Sequence, residues 1–402
     1  MNKIKLGIGI GLLLMTTLAC QSKKNSEDNQ SSDKKISTQE LVENGIRRID
    51  DTGKSDSITT TLELRMKELN VIGVSITVFD NNEILWSKGY GYSNKKNGEK
   101  VTENTLFQAA SISKPVASVG AFKLIEQNRF DLDENVNLKL KRWQVPENEF
   151  TTNEKVTASR IMSHTSGLST SGFQGYEITD SIPTLKQILE GSSITNSEPV
   201  RVVQIPGESE RYSGGGMTVL QMLMEDVSGQ EFPNLMDSLV LNPAGMTNST
   251  FAYPIPEKIE NNISMGYDES GNEIRGGYHI YPEKAAAGLW SNPTDLAKFM
   301  IALGKSYRGE ENSILKQSSA KKMMTRVPNA GATGIGIDGE GNAFRFRHTG
   351  GNAGFKCYAV SFANNGRGVV IMTNSDNAFP LIHEIVRAVS EEYDWPPMWM
   401  RE

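Results

Sequence analysis

Ser111-Ile112-Ser113-Lys114 places a hydroxyl and an amine three residues apart, and on a helix that spacing puts both on one face. A serine whose proton can pass to a neighbouring lysine is a nucleophile for an ester or amide carbonyl. Spacing alone does not single this pair out, because Ser-x-x-Lys occurs seven times, at serines 31, 32, 93, 111, 313, 318 and 319. Serines 31 and 32 lie in a polar N-terminal stretch, 93 in a polar turn, and 313, 318 and 319 in a polar helix. Only Ser111 opens an apolar helix. Phe107, Ala109 and Ala110 precede it, and Val116, Ala117, Gly120, Ala121, Leu124 and Ile125 follow at helical period. Pro115 is tolerated only in a first turn, so Ser111 belongs near the helix N-terminus, where free backbone N–H groups can face an oxyanion. Lys114 can take the serine proton only when uncharged. Desolvation is the strongest means of favouring a neutral amine, since the helix dipole offers at most about 1–2 kcal/mol.

Other chemistries lack their motifs. No Gly-x-Ser-x-Gly occurs, so the nucleophile turn of α/β-hydrolases is missing. Gly334-Ile335-Gly336-Ile337-Asp338-Gly339 has dinucleotide-type spacing but precedes a strand-like run instead of a helix, and reads as a glycine-rich turn. The histidines at 164, 279, 348 and 383 form no His-x-x-x-His pair, and no Cys-x-x-Cys occurs, so neither metal nor cofactor is expected. The chain has 402 residues, is 37% hydrophobic and 22% charged, and carries a net charge of −6. That balance suits a large globular core, and without a basic stripe it argues against nucleic acid as a partner.

The elements that must position Ser111 come from both chain ends. Helical patterns near 38–48 and 58–69 precede two strand-like runs, Ile72–Phe79 and Glu83–Tyr92, joined by the turn signal Asp80-Asn81-Asn82. The helix of the Ser-x-x-Lys pair spans Ser113–Gln127. Residues 131–290 mix helical segments with glycine-rich loops, and strand signals return at Phe344–His348, Phe355–Phe362 and Gly368–Thr373 before a final helix over 379–392. The expected fold is α+β: an antiparallel sheet flanked by helices and built from both chain ends, with an inserted, mainly helical subdomain at about 131–290. Cys357, within Phe355–Phe362, is expected to be a buried structural thiol.

Three further stretches fall in order after SISK: MSHTSGL at 162–168, RYSGGG at 211–216 and HTGGNAG at 348–354. Together they resemble the serine β-lactamase and penicillin-binding-protein superfamily, in its branch of class C β-lactamases, D-amino-acid peptidases and esterases. Tyr281–Phe299 adds to the likeness, which covers roughly residues 55–392. The resemblance implies that Ser111 is the acylated nucleophile, Lys114 its activating partner and Tyr212 a proton shuttle. It implies that His348, Thr349 and Gly350 edge the site as the Lys-Thr-Gly strand does, and that Gly351 supplies a second oxyanion N–H beside that of Ser111. His164 falls in what is usually a structural loop, and His279 and His383 carry no signal.

The chain departs from the family pattern twice. Gly214 stands where Tyr-x-Asn has asparagine, and His348 replaces the lysine that helps hold a substrate carboxylate. A histidine with a pKa near 6.5 is mostly neutral at pH 7, so both changes favour an esterase or peptidase acting on less anionic substrates. The expected substrate is a small ester, a peptide or a peptidoglycan-like molecule. A β-lactamase or penicillin-binding carboxypeptidase is the alternative, and a catalytically silent sensor is the alternative of another class. Specificity is expected in loops around 165–210 and 265–285.

Lys3 and Lys5 precede the apolar run Leu6–Leu14, too short to span a bilayer, and Thr17-Leu18-Ala19-Cys20 follows. This resembles a bacterial lipoprotein signal, which implies a signal peptide over 1–19 and lipidation at Cys20. Residues 20–36 are polar and read as a flexible tether, leaving 37–402 as the hydrolase domain. Gln21 after Cys20 implies, by the same likeness, a lipid-anchored place in the bacterial cell envelope at the outer membrane.

Overall fold

The computed structural model describes residues 36–50, 54 and 56–396; the expected export signal, Cys20 and nearly all of the expected tether lie outside them. The strands are β1 (Gly73–Asp80), β2 (Glu83–Asn94), β3 (Glu99–Lys100), β4 (Phe107–Gln108), β5 (Trp290–Ser291), β6 (Gly336–Asp338), β7 (Arg345–Asn352), β8 (Phe355–Phe362) and β9 (Arg367–Thr373). The helices are α1 (Thr38–Asn44), α2 (Leu62–Glu68), α3 (Ser113–Glu126), α4 (Ala158–Met162), α5 (Leu185–Glu190), α6 (Gly214–Ser228), α7 (Phe232–Met236), α8 (Glu257–Glu260), α9 (Lys284–Ala287), α10 (Pro293–Arg308), α11 (Gln317–Met323) and α12 (Phe379–Glu392).

Seven strands form one antiparallel sheet in the order β3-β2-β1-β9-β8-β7-β6. The first and last long strands lie side by side, with Val74 opposite Thr373 and Phe79 opposite Gly368, so both chain ends do build the sheet. The central strands are covered on both faces, which is why β9 reads as an unbroken apolar run instead of alternating. On one face Ile76, Val78, Val360 and Ile371 pack against α1, α2 and α12 through Val42, Met66, Leu381 and Ile385. On the other, Phe79, Cys357, Val370 and Met372 pack with Val116 and Val119 of α3 and with Leu296 and Leu303 of α10. Helix α3 is buried on every side from Ser113 to Phe122, as expected of a helix apolar all round. The stretch from 131 to 290 is helical and loop-like as expected, and β5 at its end pairs with β4 and, through Trp290, bridges to Thr250.

Four local expectations change. The glycine-rich segment 334–339 contains an edge strand, β6, whose Asp338 pairs with Arg345 at 2.7 Å; a three-residue strand that starts on a glycine is too short to show alternation. Ser93 is not in a turn. It ends β2, buried, because its carbonyl accepts from Met265 N at 2.9 Å, a contact that no local pattern reveals. Strand β7 runs on to Asn352, carrying the Thr349–Gly351 stretch in regular pairing with β8. The first two helices are shorter than their patterns. Ser37 and Glu40 form a capping box on α1, Thr61 caps α2 from Leu64 N at 3.2 Å, and Ile46 and Thr60 bridge between them.

Candidate active site

Ser111 lies on a single 3₁₀ turn, Ala110–Ile112, that leads into α3. Ala110 has φ +48°, a left-handed conformation that costs an alanine about 1–2 kcal/mol and is held here by packing. Cys357 Sγ–H donates to Ala109 O at 3.1 Å, and Gly350 lies so close to Ala109 O and Cys357 Sγ that a Cβ there would collide with both. The absence of a side chain at Gly350 therefore lets β7 press against the Ser111 turn. Cys357 is fully buried and burial pushes its thiol up, which fits the structural role expected of it.

Lys114 Nζ donates to Ser111 Oγ at 2.9 Å and to the Ala286 carbonyl of α9 at 2.9 Å. Its side chain is buried, and no carboxylate pairs with it among the described residues. Of the Ser-x-x-Lys pairs within the described residues, only this one joins its own lysine and serine. Tyr212 presents its ring to the same amine, with Lys114 Nζ 4.9 Å from the centroid, and its hydroxyl makes no hydrogen bond among the described residues.

His164 stacks beside Tyr212 with ring centroids 4.3 Å apart. Its Nδ1 accepts from Ser213 N at 3.2 Å and its carbonyl accepts from Arg211 N at 2.7 Å, so it ties its loop to the Tyr212 segment. Burial first, then the positive charges of Lys114 and His348, lower its pKa to about 3. An imidazole that stays neutral and accepts from backbone is a positioning group. Ser213 caps α6 by accepting from Gly216 N at 2.8 Å, which fixes the entry of the chain after Tyr212. At Gly214 a Cβ would meet Phe173 Cε2 and Ser171 O, each at 3.1 Å, so the space next to an asparagine side chain is already filled.

The outer edge of β7 is paired with β6 only over Arg345–Arg347, leaving His348–Gly351 open along the cavity. His348 is half-buried, its Nδ1–H donates to Thr349 O at 2.5 Å, and burial lowers its pKa to about 4. Arg347 also lines the cavity, and its positive charge adds to burial in lowering His348, but its side chain leaves from the other face of β7. It stands opposite Val360, whose side chain lies on the α12 face, whereas His348 stands opposite Ala359 on the α3 face. Its effect on Tyr358 agrees: burial pushes that phenol up to about 12, and Arg347 pulls it the other way.

A cavity of about 370 Å³ joins these parts: Ser111, Lys114, His164, Tyr212, His348, Thr349 and Gly351 all line it, and Gly350 lies just behind. The rest of its wall was not visible in the sequence. Gly331, Ala332 and residues 334–336 form one side with Arg347; Ser118, Met162, Ser163 and Met217 form the floor, and Glu210 the rim. Glu210 was within reach of inference, since it precedes Tyr212 by two residues in an extended segment and so shares its side. The loops expected to set specificity contribute little: Glu210 is the one lining residue from 165–210, and none comes from 265–285. Those loops pack on one another instead, as where Tyr176 and Ile280 pair.

The same architecture occurs in solved structures. A D-amino acid amidase from Ochrobactrum anthropi SV3 superposes with a TM-score of 0.68 at 21% identity, over 83% of this chain and 96% of that one. A class C beta-lactamase superposes at 0.64 and 18% identity, over 82% and 94%. Identities this low carry the fold alone. Among curated proteins, Protein flp of Staphylococcus aureus (strain MRSA252) is 23% identical over 335 residues, which are 80% of this chain and 63% of that protein. The chain thus spans a little under two thirds of that relative's length. A Beta-lactamase family model matches residues 58–389, an interval that begins before β1 and ends within α12, and the chain belongs to the β-lactamase family.

Proposed function

We propose that the protein is a serine hydrolase that cleaves an ester or amide through a covalent acyl-enzyme. The 2.9 Å contact between the buried Lys114 Nζ and Ser111 Oγ carries this reading. Lys114 takes the hydroxyl proton as Oγ bonds to the carbonyl carbon. The oxyanion rests on the N–H groups of Ser111 and Gly351, and the bond to the alcohol or amine breaks as that group takes a proton. Water then attacks the acyl carbon, with Tyr212 assisting proton movement, and frees Ser111.

The charge of the cavity favours substrates without a carboxylate near the scissile bond. Both imidazoles are lowered to about 3 and about 4, so they are neutral at pH 7. Lys114 is held by Ser111 and Ala286, the rim carries Glu210, and Arg347, which also lines the cavity, leaves from the face of β7 opposite to His348. A short neutral ester, or a peptide or amide bearing a free amine, suits this wall better than an anionic lactam. Lipid attachment through Cys20, which would place the activity in the bacterial envelope, belongs to the same proposal.

The test is intact-mass spectrometry of residues 37–402 treated with a fluorophosphonate, beside Ser111→Ala. One adduct on the parent and none on the variant is the expected result. A folded parent that takes no adduct would overturn the nucleophile reading and leave a binding module on this fold.

A further inference from the structure

Glu283 is fully buried, and among the described residues neither of its carboxyl oxygens has a partner beyond a contact with its own backbone N–H. A carboxylate in that position has lost its hydration and gained no compensating contact, so the neutral acid is the form that fits. Burial raises its pKa from 4.5 to about 7.

Its place in the fold gives this a consequence for the active site. Glu283 immediately precedes α9, and its carbonyl accepts from Ala286 N and Ala287 N, each at 3.0 Å. The Ala286 carbonyl is the second acceptor of Lys114 Nζ. Helix α9 packs against α3, α6 and the Ser111 turn, and Gln221 of α6 clamps it by accepting from Ala285 N at 3.0 Å and donating to Pro282 O at 3.4 Å. A helix of four residues has no stability of its own, so its seating depends on these contacts.

Few charges reach Glu283. Lys284, on the same helix, is half-buried and held below the usual amine value, and it draws Glu283 down less than burial raises it. Glu225 of α6 and Glu231 lie toward Lys284. The phenols of Tyr176 and Tyr281 feel Glu283 as a negative charge, and Lys114 of α3 is bound at the far end of α9.

We infer that Glu283 is a positioning residue which must stay uncharged: as a neutral acid it lets α9 seat against α3 and α6, and so keeps the Ala286 carbonyl on Lys114. Ionisation leaves a bare carboxylate in the core. Its rehydration draws the start of α9 out of place, and Lys114 loses the contact that aims it at Ser111. The inference rests on the nucleophile reading, and the site then closes down as pH rises past neutrality through a group that touches neither substrate nor Ser111.

The experiment is the pH dependence of fluorophosphonate labelling of residues 37–402, for the parent and for Glu283→Gln. The glutamine keeps the shape and cannot ionise; Glu283→Leu serves in its place where the glutamine variant does not fold. The ratio of variant to parent labelling rates should be about one at pH 6 and rise to about tenfold at pH 8, the depletion expected for a group titrating near 7. Parallel pH profiles in folded proteins would overturn the inference, because a purely structural Glu283 would change melting temperature and not the profile. Infrared difference spectra of parent against variant decide independently of labelling. A protonated carboxyl band at pH 6 that is lost by pH 8 supports the inference, and a carboxylate already ionised at pH 6 overturns it. A folded parent that labels at no pH would strike at Ser111 as nucleophile, a different failure from either of these.

Discussion

Glu384 and Glu283 are both buried glutamates, on opposite faces of the sheet, and the molecule treats them in opposite ways. Glu384 of α12 receives two hydrogen bonds from Arg65 of α2, Nε to Oε2 at 2.8 Å and Nη2 to Oε1 at 2.7 Å, with Ile49 N at 3.4 Å. That pairing raises the Arg65 guanidinium further and locks α2 onto the last helix. Glu283, beside the active site, receives nothing from any other described residue. A paired buried charge fixes a frame; an unpaired one is a group whose protonation state the fold depends on. The face that only has to hold together satisfies its charges. The face built around Ser111 leaves Glu283 without a partner, keeps two imidazoles neutral and holds Lys114 with no carboxylate beside it.

Removing one partner on the paired face should have the larger effect. Glu384→Ala leaves Arg65 buried with much of its charge uncompensated, since Glu68 reaches only Nη1, at 3.0 Å. The expected loss of folding stability is about 3–5 kcal/mol by chemical denaturation. Labelling of the protein that remains folded should be unchanged, because α2 and α12 lie across the sheet from Ser111. A loss below about 1 kcal/mol would mean that the pair gives little, and that the contrast between the two faces is one of geometry without energy.

On the unpaired face the same kind of substitution should stabilise. Below pH 4.5, the carboxyl's ordinary value, Glu283 is protonated folded and unfolded, and Glu283→Gln is expected to match the parent. Between 4.5 and about 7 the unfolded chain releases the proton while the folded protein keeps it, so the parent steadily loses stability. Above about 7 the deficit is complete, and the glutamine variant should be ahead by at most about 3 kcal/mol. Denaturation at pH 4 and pH 8 measures it. A variant less stable than the parent at pH 8 would show that the carboxylate has a partner after all.

The same contrast separates what was legible in the sequence from what was not. The Ser111–Lys114 pair, the buried helix behind it and the final helix at 379–392 could be read because each rests on local period or local chemistry. That both chain ends build the sheet followed from strand signals at each end, whereas the strand order did not. What escaped depends on the approach of distant segments. Gly334 to Gly339 looked like a turn because β6 exists only through its pairing with β7. The Ala286 carbonyl could not be seen as a ligand of Lys114, since backbone acceptors carry no sequence signal. Burial of Glu283 in a run of small residues gave no hint that its oxygens lack partners. The loop at 265–285 is expected to set specificity, yet it turns its contacts toward 174–176.

The smallest expected effect bears on substrate choice. His348 sits at the open edge of β7, neutral, with its Nδ1–H turned back onto the Thr349 carbonyl, so it offers a substrate no charge. A lysine there would point from the same face of the strand into the cavity and place an ammonium within reach of a carboxylate on the bound substrate. Two opposite charges about 4 Å apart at a partly exposed site attract by about 4 kcal/mol at an effective dielectric of 20, and desolvation removes most of that. His348→Lys should therefore raise kcat/KM for an ester bearing a carboxylate by roughly tenfold, near 1.4 kcal/mol, while a neutral ester changes little. Glu210 on the rim works against such a substrate from the other side, so Glu210→Gln should add to the gain without altering the neutral ester. A rise for both esters alike would mean that His348 obstructs the cavity by its shape. No rise for either would mean that the charge of this wall does not set what the site accepts, and the contrast between paired and unpaired groups would then belong to catalysis and not to recognition.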